Sequence, residues 1–516
     1  MGDFDPIQIP PGVVGGPSNA TAKGRWADAN MVRWVGGNLR PVMGWDRLVL
    51  HSAFASPVRA VHTWVDNLNG TWIGVLCEKK IYVVDVTGNV TDITPVDFTG
   101  PQDDVFAGGY GNNQYSKYNY GDPRPDVYSY GVIGPAWTLD NWGQDLLICS
   151  SYDGRLLQWT PNVAGGSLAA KVPNSPLPIR TFVVTPERYV MVFGGNSATN
   201  FNQFAWCSQE VITDWDYASL TNTAGFYTVQ PAAPILSARV TKFGIVMFTA
   251  TGIFLIQYIG VPYVYSFYQM AGDAIPLADA LVVRYSGKLM WLAADGFWTF
   301  DGGAITQLAC SLINYIRETC DPSYIRIRGV SVNIGMMPEI WVFFPIKNSK
   351  ENGRYISWNY AENWWSMGQL NRTCGYQSIF TTFPVMSDGT NLYYHERYNS
   401  PYSDYNALPY ATCTFINTNS GGVLTAISQA IVDQDASEDV VNYTLEGRIT
   451  TRMDQKVPCE IQSDPPGPLQ PRKDGYLDCR ITARDIQLTV AQASNDAKRW
   501  SFGQILIKSA KGRGKR

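Results

Sequence analysis

Two carboxylates at a set separation are the least that glycoside hydrolysis needs, one to protonate the leaving oxygen and one to act as nucleophile or base. Asp214 and Asp216 would share one face of an extended strand, and Asp295 and Asp301 fall close together further on. Solvated turn and strand-end acids account for both pairs without catalysis, and that is the expected reading. The sequence has three histidines, His51, His62 and His395, with no H-E-x-x-H spacing and no Ser-His-Asp order, so hydrolase and zinc-protease chemistry find no footing. Nine cysteines are scattered with no C-x-x-C pair, the closest being Cys310 and Cys320. That pattern suits neither a zinc site nor a disulfide framework, and fits buried free thiols in a reducing compartment. The run from Asp433 to Asp439 begins like a calcium loop but has Glu438 where glycine is required. No Gly-rich phosphate loop leads from a strand into a helix. No catalytic residue, metal ligand or cofactor is expected, and the chain is not expected to be an enzyme.

Binding chemistry has three candidate sources. Lys508, Lys511, Arg513, Lys515 and Arg516 crowd the last nine residues, and without these five cations the net charge of -4 becomes -9. Such a tail is either a solvated end or a contact for DNA phosphate or a partner. Trp142, Trp364 and Trp365 could stack on sugar if exposed, or form core if buried. A Gly/Tyr/Asn-rich stretch near 100–135 holds Tyr110, Tyr115, Tyr118 and Tyr120 on a backbone too glycine-rich to build a core. It reads as a long exposed loop suited to protein contact, because rigid tyrosines cover area at low entropic cost.

The elements that would position these groups are strands. Aromatic residues make up 13% of the chain and charged residues 16%, a balance that favours β-structure and a large core. Helical patterning is confined to Cys310–Thr319. Three strand, Asp-Gly, strand units recur, with the Asp-Gly pairs beginning at 153, 295 and 388. The separations, 142 and 93, are three and two times about 47, the period of a propeller blade. Asp-Gly supplies residues that tolerate positive φ in a tight hairpin turn. Further hairpins at 72–84, 188–207, 245–256 and 339–358 bring the number to seven. The expected fold is all-β, a six- or seven-bladed propeller over residues 51–400.

The two ends differ from this repeat. In residues 1–50, two strand-like runs flank Gly36 and Gly37, predicting a hairpin that bears Arg33, Trp34, Arg40 and Trp45. A lone two-stranded hairpin is marginal, so these residues must pack on the chain's own propeller or on a neighbouring subunit. Beyond 401, alternation at Leu445–Arg452 and Asp478–Val490, with a last run at Trp500–Ile507, predicts a β-sandwich-like domain. The N-terminus lacks the basic and apolar regions of a signal peptide. The uncharged run Phe243–Gly272 is broken by Gly252, Gly260 and Pro262, so no membrane span is expected.

The order Asn30-Met-Val-Arg33, Gly36 to Pro41, Gly44-Trp45, then propeller hairpins, then Arg480 to Arg484 and Trp500 to Ile505, resembles the tail hub or nozzle proteins of short-tailed bacteriophages, including packaged-DNA stabilisation proteins. The resemblance implies a virion protein made in the bacterial cytoplasm and assembled into a homohexameric ring in the tail. Such a ring sits under the portal adaptor ring, retains and conducts genomic DNA, and carries fibres, spikes or a needle. The negative net charge is consistent with a conduit that does not hold DNA tightly. The alternative on residues alone is a propeller that binds glycan as a receptor protein, or a propeller glycosidase.

Overall fold

Each of the seven apolar runs forms the two middle strands of a four-stranded antiparallel sheet. A computed structural model describes residues 4–15, 24–101, 134–163, 166–194, 201–378, 381–398, 400–405, 407–417, 424–435, 440–449, 461–462, 467–495 and 499–511. Blade 1 is Val58–Val65, Thr71–Cys77, Ile81–Asp85 and Val90–Asp92; blade 2 is Trp137–Trp142, Asp145–Ser150, Leu156–Trp159 and Ala170–Lys171. Blade 3 is Ile179–Val184, Val190–Gly194, Gln203–Trp206 and Gly225–Thr228; blade 4 is Ile235–Thr241, Gly244–Thr249, Gly252–Gly260 and Val264–Ala271. Blade 5 is Val282–Tyr285, Lys288–Leu292, Phe297–Phe300 and Ile305–Leu308; blade 6 is Val330–Ile334, Glu339–Pro345, Asn352–Asn359 and Trp364–Gly368. Blade 7 has Cys374–Tyr376, Val385–Ser387 and Leu392–Arg397, and takes its outermost strand, Gly44–Arg47, from the other end of the chain. The innermost strands neighbour one another in order, and that of blade 7 returns to that of blade 1. The propeller is closed and seven-bladed.

Burial on both faces explains why the strands read as apolar runs and not as alternation. In blade 2, Leu146 and Ile148 pack towards blade 1, while Leu147 and Cys149 pack towards blade 3. The three Asp-Gly pairs sit at equivalent turns of blades 2, 5 and 7, which accounts for their spacing of three and two periods. The turn chemistry differs from the expectation. The loops are longer than two residues, and only the glycines (Gly154, Gly296 and Gly389) take positive φ. The aspartates act as acceptors: Asp388 Oδ1 takes the amides of Thr390 and Asn391 at 2.8 and 2.7 Å.

The remaining strands form two facing sheets. One holds Val32–Val35, Asn38–Pro41, Ser501–Lys511, Thr425–Asp435 and Tyr476–Ala483, with Phe4–Ile7 added to Ser501–Lys511. The other holds Trp26–Asn30, Tyr410–Cys413, Asp485–Gln492, Val441–Arg448 and Ile461–Gln462, with Ile416–Asn417 added to Asp485–Gln492. Trp34, Trp26, Phe502 and Tyr443 are buried between them, with ring centroids 6.0 to 6.2 Å apart in successive pairs.

Two boundaries differ from the sequence reading. The first 50 residues are not a separate arm, since their strands belong to the sandwich and to blade 7. The alternating run Asp478–Val490 is two strands in different sheets, divided at Arg484, whose amide and Nε donate to the Arg448 and Ile449 carbonyls. The predicted hairpin turn is found, with Gly36 and Gly37 at φ of 60° and 80° and Val35 opposite Asn38. The helix read at Cys310–Thr319 is Ile313–Thr319, and a second short one, Ile325–Arg328, escaped the reading. The run Phe243–Gly272 is three strands of blade 4, and among the described residues no helix is long and apolar enough to cross a membrane.

Candidate functional site

The predicted contact residues of the N-terminal hairpin face inwards, with one exception. Arg33, on Val32–Val35, is buried against the propeller, donating to both carboxylate oxygens of Glu396 at 2.7 Å and lying 3.0 Å from Glu339. Burial opposes its charge, but the two carboxylates more than offset that and raise its pKa. The same burial pushes the Glu339 carboxyl up, against the pull of Arg33. Trp34 is sandwich core. Only Arg40 is exposed. Arg33, Trp34 and Trp45 are therefore braces within one chain and not surface contacts, because each lies where the sandwich or the closing strand meets the blades.

Trp45 sits on that closing strand, fully buried. Its indole stacks on His395 at 4.8 Å, meets Tyr402 edge-on at 5.1 Å and donates to the Ser403 carbonyl at 2.8 Å. The Arg372 guanidinium lies 5.1 Å from the Trp45 ring and 4.4 Å from that of Tyr393. Its Nε donates to His395 Nε2 at 2.9 Å. That geometry requires a neutral imidazole with its proton on Nδ1. Burial lowers the Arg372 pKa to about 10, and burial with Arg372 nearby holds His395 well below its ordinary value. Beside Trp45, Gly44 has no room for a Cβ, which would collide with the Ser400 carbonyl.

His62, on the inner strand of blade 1, is also lowered by burial, against the attraction of Asp140. The sign of the pH effect follows. An unfolded histidine titrates near 6.5, and these two resist protonation when folded, so below that pH the unfolded chain binds more protons. Stability is full above about pH 7 and falls as pH drops through about 6.5, by up to about 1.4 kcal/mol per pH unit for each histidine. A melting temperature that falls from pH 7.5 to pH 5.5, with a smaller fall in His395→Gln, is the expected result. A flat profile would contradict it.

At one end of the propeller axis, bulges in the inner strands of blades 1, 3 and 4 re-aim single residues. Arg59 binds both oxygens of Glu351 at 2.7 and 2.9 Å and takes Glu78 at 3.0 Å, and Arg328 shares Glu78 at 2.8 Å. Arg180 donates to the carbonyls of Leu236, at 2.9 Å, and Gly134. The space among Arg59, Trp137, Arg328 and Thr373 is about 20 Å³, room for about one water. None of these residues was singled out in the sequence; a charged residue set inside an apolar strand run was the available signal.

The carboxylates weighed for catalysis serve turns. Asp214 accepts from Asn222 at 2.9 Å, Asp216 from the Ala218 amide at 3.0 Å, Asp295 from Trp298 at 2.9 Å and Asp301 from the Gly303 amide at 3.1 Å. Trp365 is blade core and donates to the Ala309 carbonyl at 3.0 Å, while Trp142 and Trp364 are half-buried. The eight described cysteines are free thiols, all buried but Cys310. Lys508 lies on the last strand opposite Phe4. Tyr110, Tyr115, Tyr118, Tyr120, Arg513, Lys515, Arg516 and the side chain of Lys511 lie outside the described residues.

A surface recess among the described residues is large enough to take side chains of another molecule. It encloses about 400 Å³ where the sandwich meets blades 6 and 7, lined by Arg40, Met43, Met337, Tyr398, Arg499 and Trp500 among others. The Arg499 guanidinium lies 3.9 Å from the Tyr398 ring centroid.

No protein-family model matches the chain. No curated protein matches it either. Among solved structures it is similar to a streptogramin B lyase, at 11% identity over 69% of this chain and 98% of that one, with a TM-score of 0.39. It is also similar to a catalytically inactive virginiamycin B lyase from Staphylococcus aureus, at 9% identity over 68% and 98%, with a TM-score of 0.38. A third is the Swd1 β-propeller domain of Myceliophteria thermophila, at 10% identity over 67% and 99%, with a TM-score of 0.38. The propeller is defined here by its own sheets and ring closure, and likenesses at these values carry no activity across.

Proposed function

We propose that the chain is a structural virion protein, a tail hub or nozzle subunit of the short-tailed phage type. It assembles into a ring that extends the portal-adaptor channel, helps retain packaged DNA and conducts it on ejection, and carries fibres, spikes or a needle. One observation carries the reading: Arg33, Trp34 and Trp45 of the N-terminal segment are committed to bracing. Arg33, Glu339 and Glu396 tie the sandwich to blades 6 and 7, and Trp45 with Arg372 and His395 locks the closing strand. A component loaded by pressurised DNA needs that resistance to opening more than it needs an exposed reactive group. The overall negative charge supports the same reading, since it disfavours tight binding of DNA phosphate by a conduit wall.

The test is the mass of the purified chain by light scattering, alone and with a co-expressed portal adaptor. A ring of six, alone or with the adaptor, is the expected result. A stable monomer that ignores the adaptor would overturn the proposal and turn attention to glycan binding by the propeller.

A further inference from the structure

Blade 4 carries an outer hairpin that outruns its own blade. Its third strand continues past the last residue paired to the second, Ile256 opposite Ile245. From there Gln257 pairs only with Ser266, Tyr258 with Tyr265 and Gly260 with Val264. The tip exposes Tyr258 by 41%, Ile259 by 55%, Val261 by 68% and Tyr263 by 71%. No charged residue occurs from Phe243 to Gly272. Single exposed apolar side chains are ordinary, but four large ones on one projecting, uncharged tip mark a contact surface.

The chain itself shows how such an element is covered. Blade 6 has a shorter outer hairpin, and strands Trp26–Asn30 and Val32–Val35 of the sandwich lie against its outermost strand. Ser366 Oγ donates to the Val32 carbonyl at 2.7 Å, and the Gly36 amide donates to the Glu362 carboxylate at 3.0 Å. The sandwich is thus already a surface that seats a blade hairpin.

We propose that copies of this chain associate head to tail, the blade 4 tip of one entering the recess of the next beside Arg40, Met43, Met337, Tyr398 and Arg499. This rests on the ring-forming reading above and names its contact. The chemistries match. Methionines adapt to an irregular apolar knob, tyrosines are anchors of low entropic cost, and guanidinium planes stack on tyrosine faces. No ion pair holds Arg40 or Arg499 among the described residues; Arg499 already lies over the Tyr398 ring, whose exposed partner face and the Arg40 guanidinium are what the recess offers to Tyr258 and Tyr263. A tip without carboxylates leaves the contact dependent on stacking and burial. Because knob and socket are different surfaces, the contact is heterologous and propagates from copy to copy, the arrangement a closed ring of identical subunits requires.

The experiment uses full-length chains, with the adaptor where the ring requires it. Val261→Ala with Tyr263→Ala removes two exposed apolar side chains from the tip and leaves the blade core intact, which an unchanged melting temperature would verify. Arg40→Glu with Arg499→Glu alters the socket. Each variant alone is expected to be monomeric, with self-association weakened at least about 100-fold. An equimolar mixture is expected to give dimers and nothing larger, because one intact knob and one intact socket remain. Rings that persist unchanged in both variants would overturn this contact while leaving the ring itself standing. A wild-type chain that stays monomeric with and without the adaptor would overturn both.

Discussion

Replacing Arg33 with alanine is expected to lower the unfolding free energy by about 3–5 kcal/mol, the cost of removing one partner from a buried ion pair. The effect is large because of what remains. Glu339 and Glu396 are buried with Arg33 between them. Without the guanidinium, two carboxylates face each other out of water with no counter-charge. The added loss should shrink as pH falls towards the ordinary carboxyl range. Burial raises the folded Glu339 pKa, so the penalty on its charged form is present above the unfolded pKa and is relieved on protonation. Glu396→Gln added to Arg33→Ala should recover part of the loss. Urea unfolding of the single and double variants at pH 7 and pH 5 would measure this. A single-variant loss below about 1 kcal/mol would show that the triad does not brace the two units.

Replacing Trp45 with alanine is expected to cost a similar amount, about 3–5 kcal/mol, with a different local signature. The indole is the centre of a layer made by His395, Tyr402, Tyr405 and Arg372. Its loss leaves a cavity and removes one of the two rings that flank the buried Arg372 guanidinium. The strand it anchors is the one that closes the propeller. Amides of Gly44–Arg47 and Leu392–Arg397 should therefore exchange by local opening before those of blades 2 and 3. Trp45→Phe, which keeps an aromatic face, should cost less. Hydrogen exchange that stays uniform across blades 2, 3 and 7 would mean that closure does not depend on this residue.

Propeller architecture was legible because a blade's middle hairpin is a local object. Asp145–Ser150 and Leu156–Trp159 lie a few residues apart, both are apolar, and the turn between them needs Gly154 at positive φ. Repeated seven times, that pattern survives as spacing. The turn at Gly36 and Gly37 was legible for the same reason. The acids at Asp214, Asp216, Asp295 and Asp301 proved to be turn acceptors, one of the two readings their spacing allowed.

What the sequence determined by itself was thus the all-β class, the blade period and the hairpin turns, because each depends on residues within reach of a single strand and turn. Tertiary structure alone decided that Gly44–Arg47 completes blade 7, that Trp26–Pro41 joins the C-terminal strands in the sandwich, and that the run through Arg484 splits between two sheets. It also decided that Arg33 and Trp45 point inwards, and that among the described residues the tip of blade 4 is exposed. Strand pairing across most of the chain leaves no periodic mark, since the same alternation would serve any partner of the right length. Only the shape of the packed whole selects which partner is present.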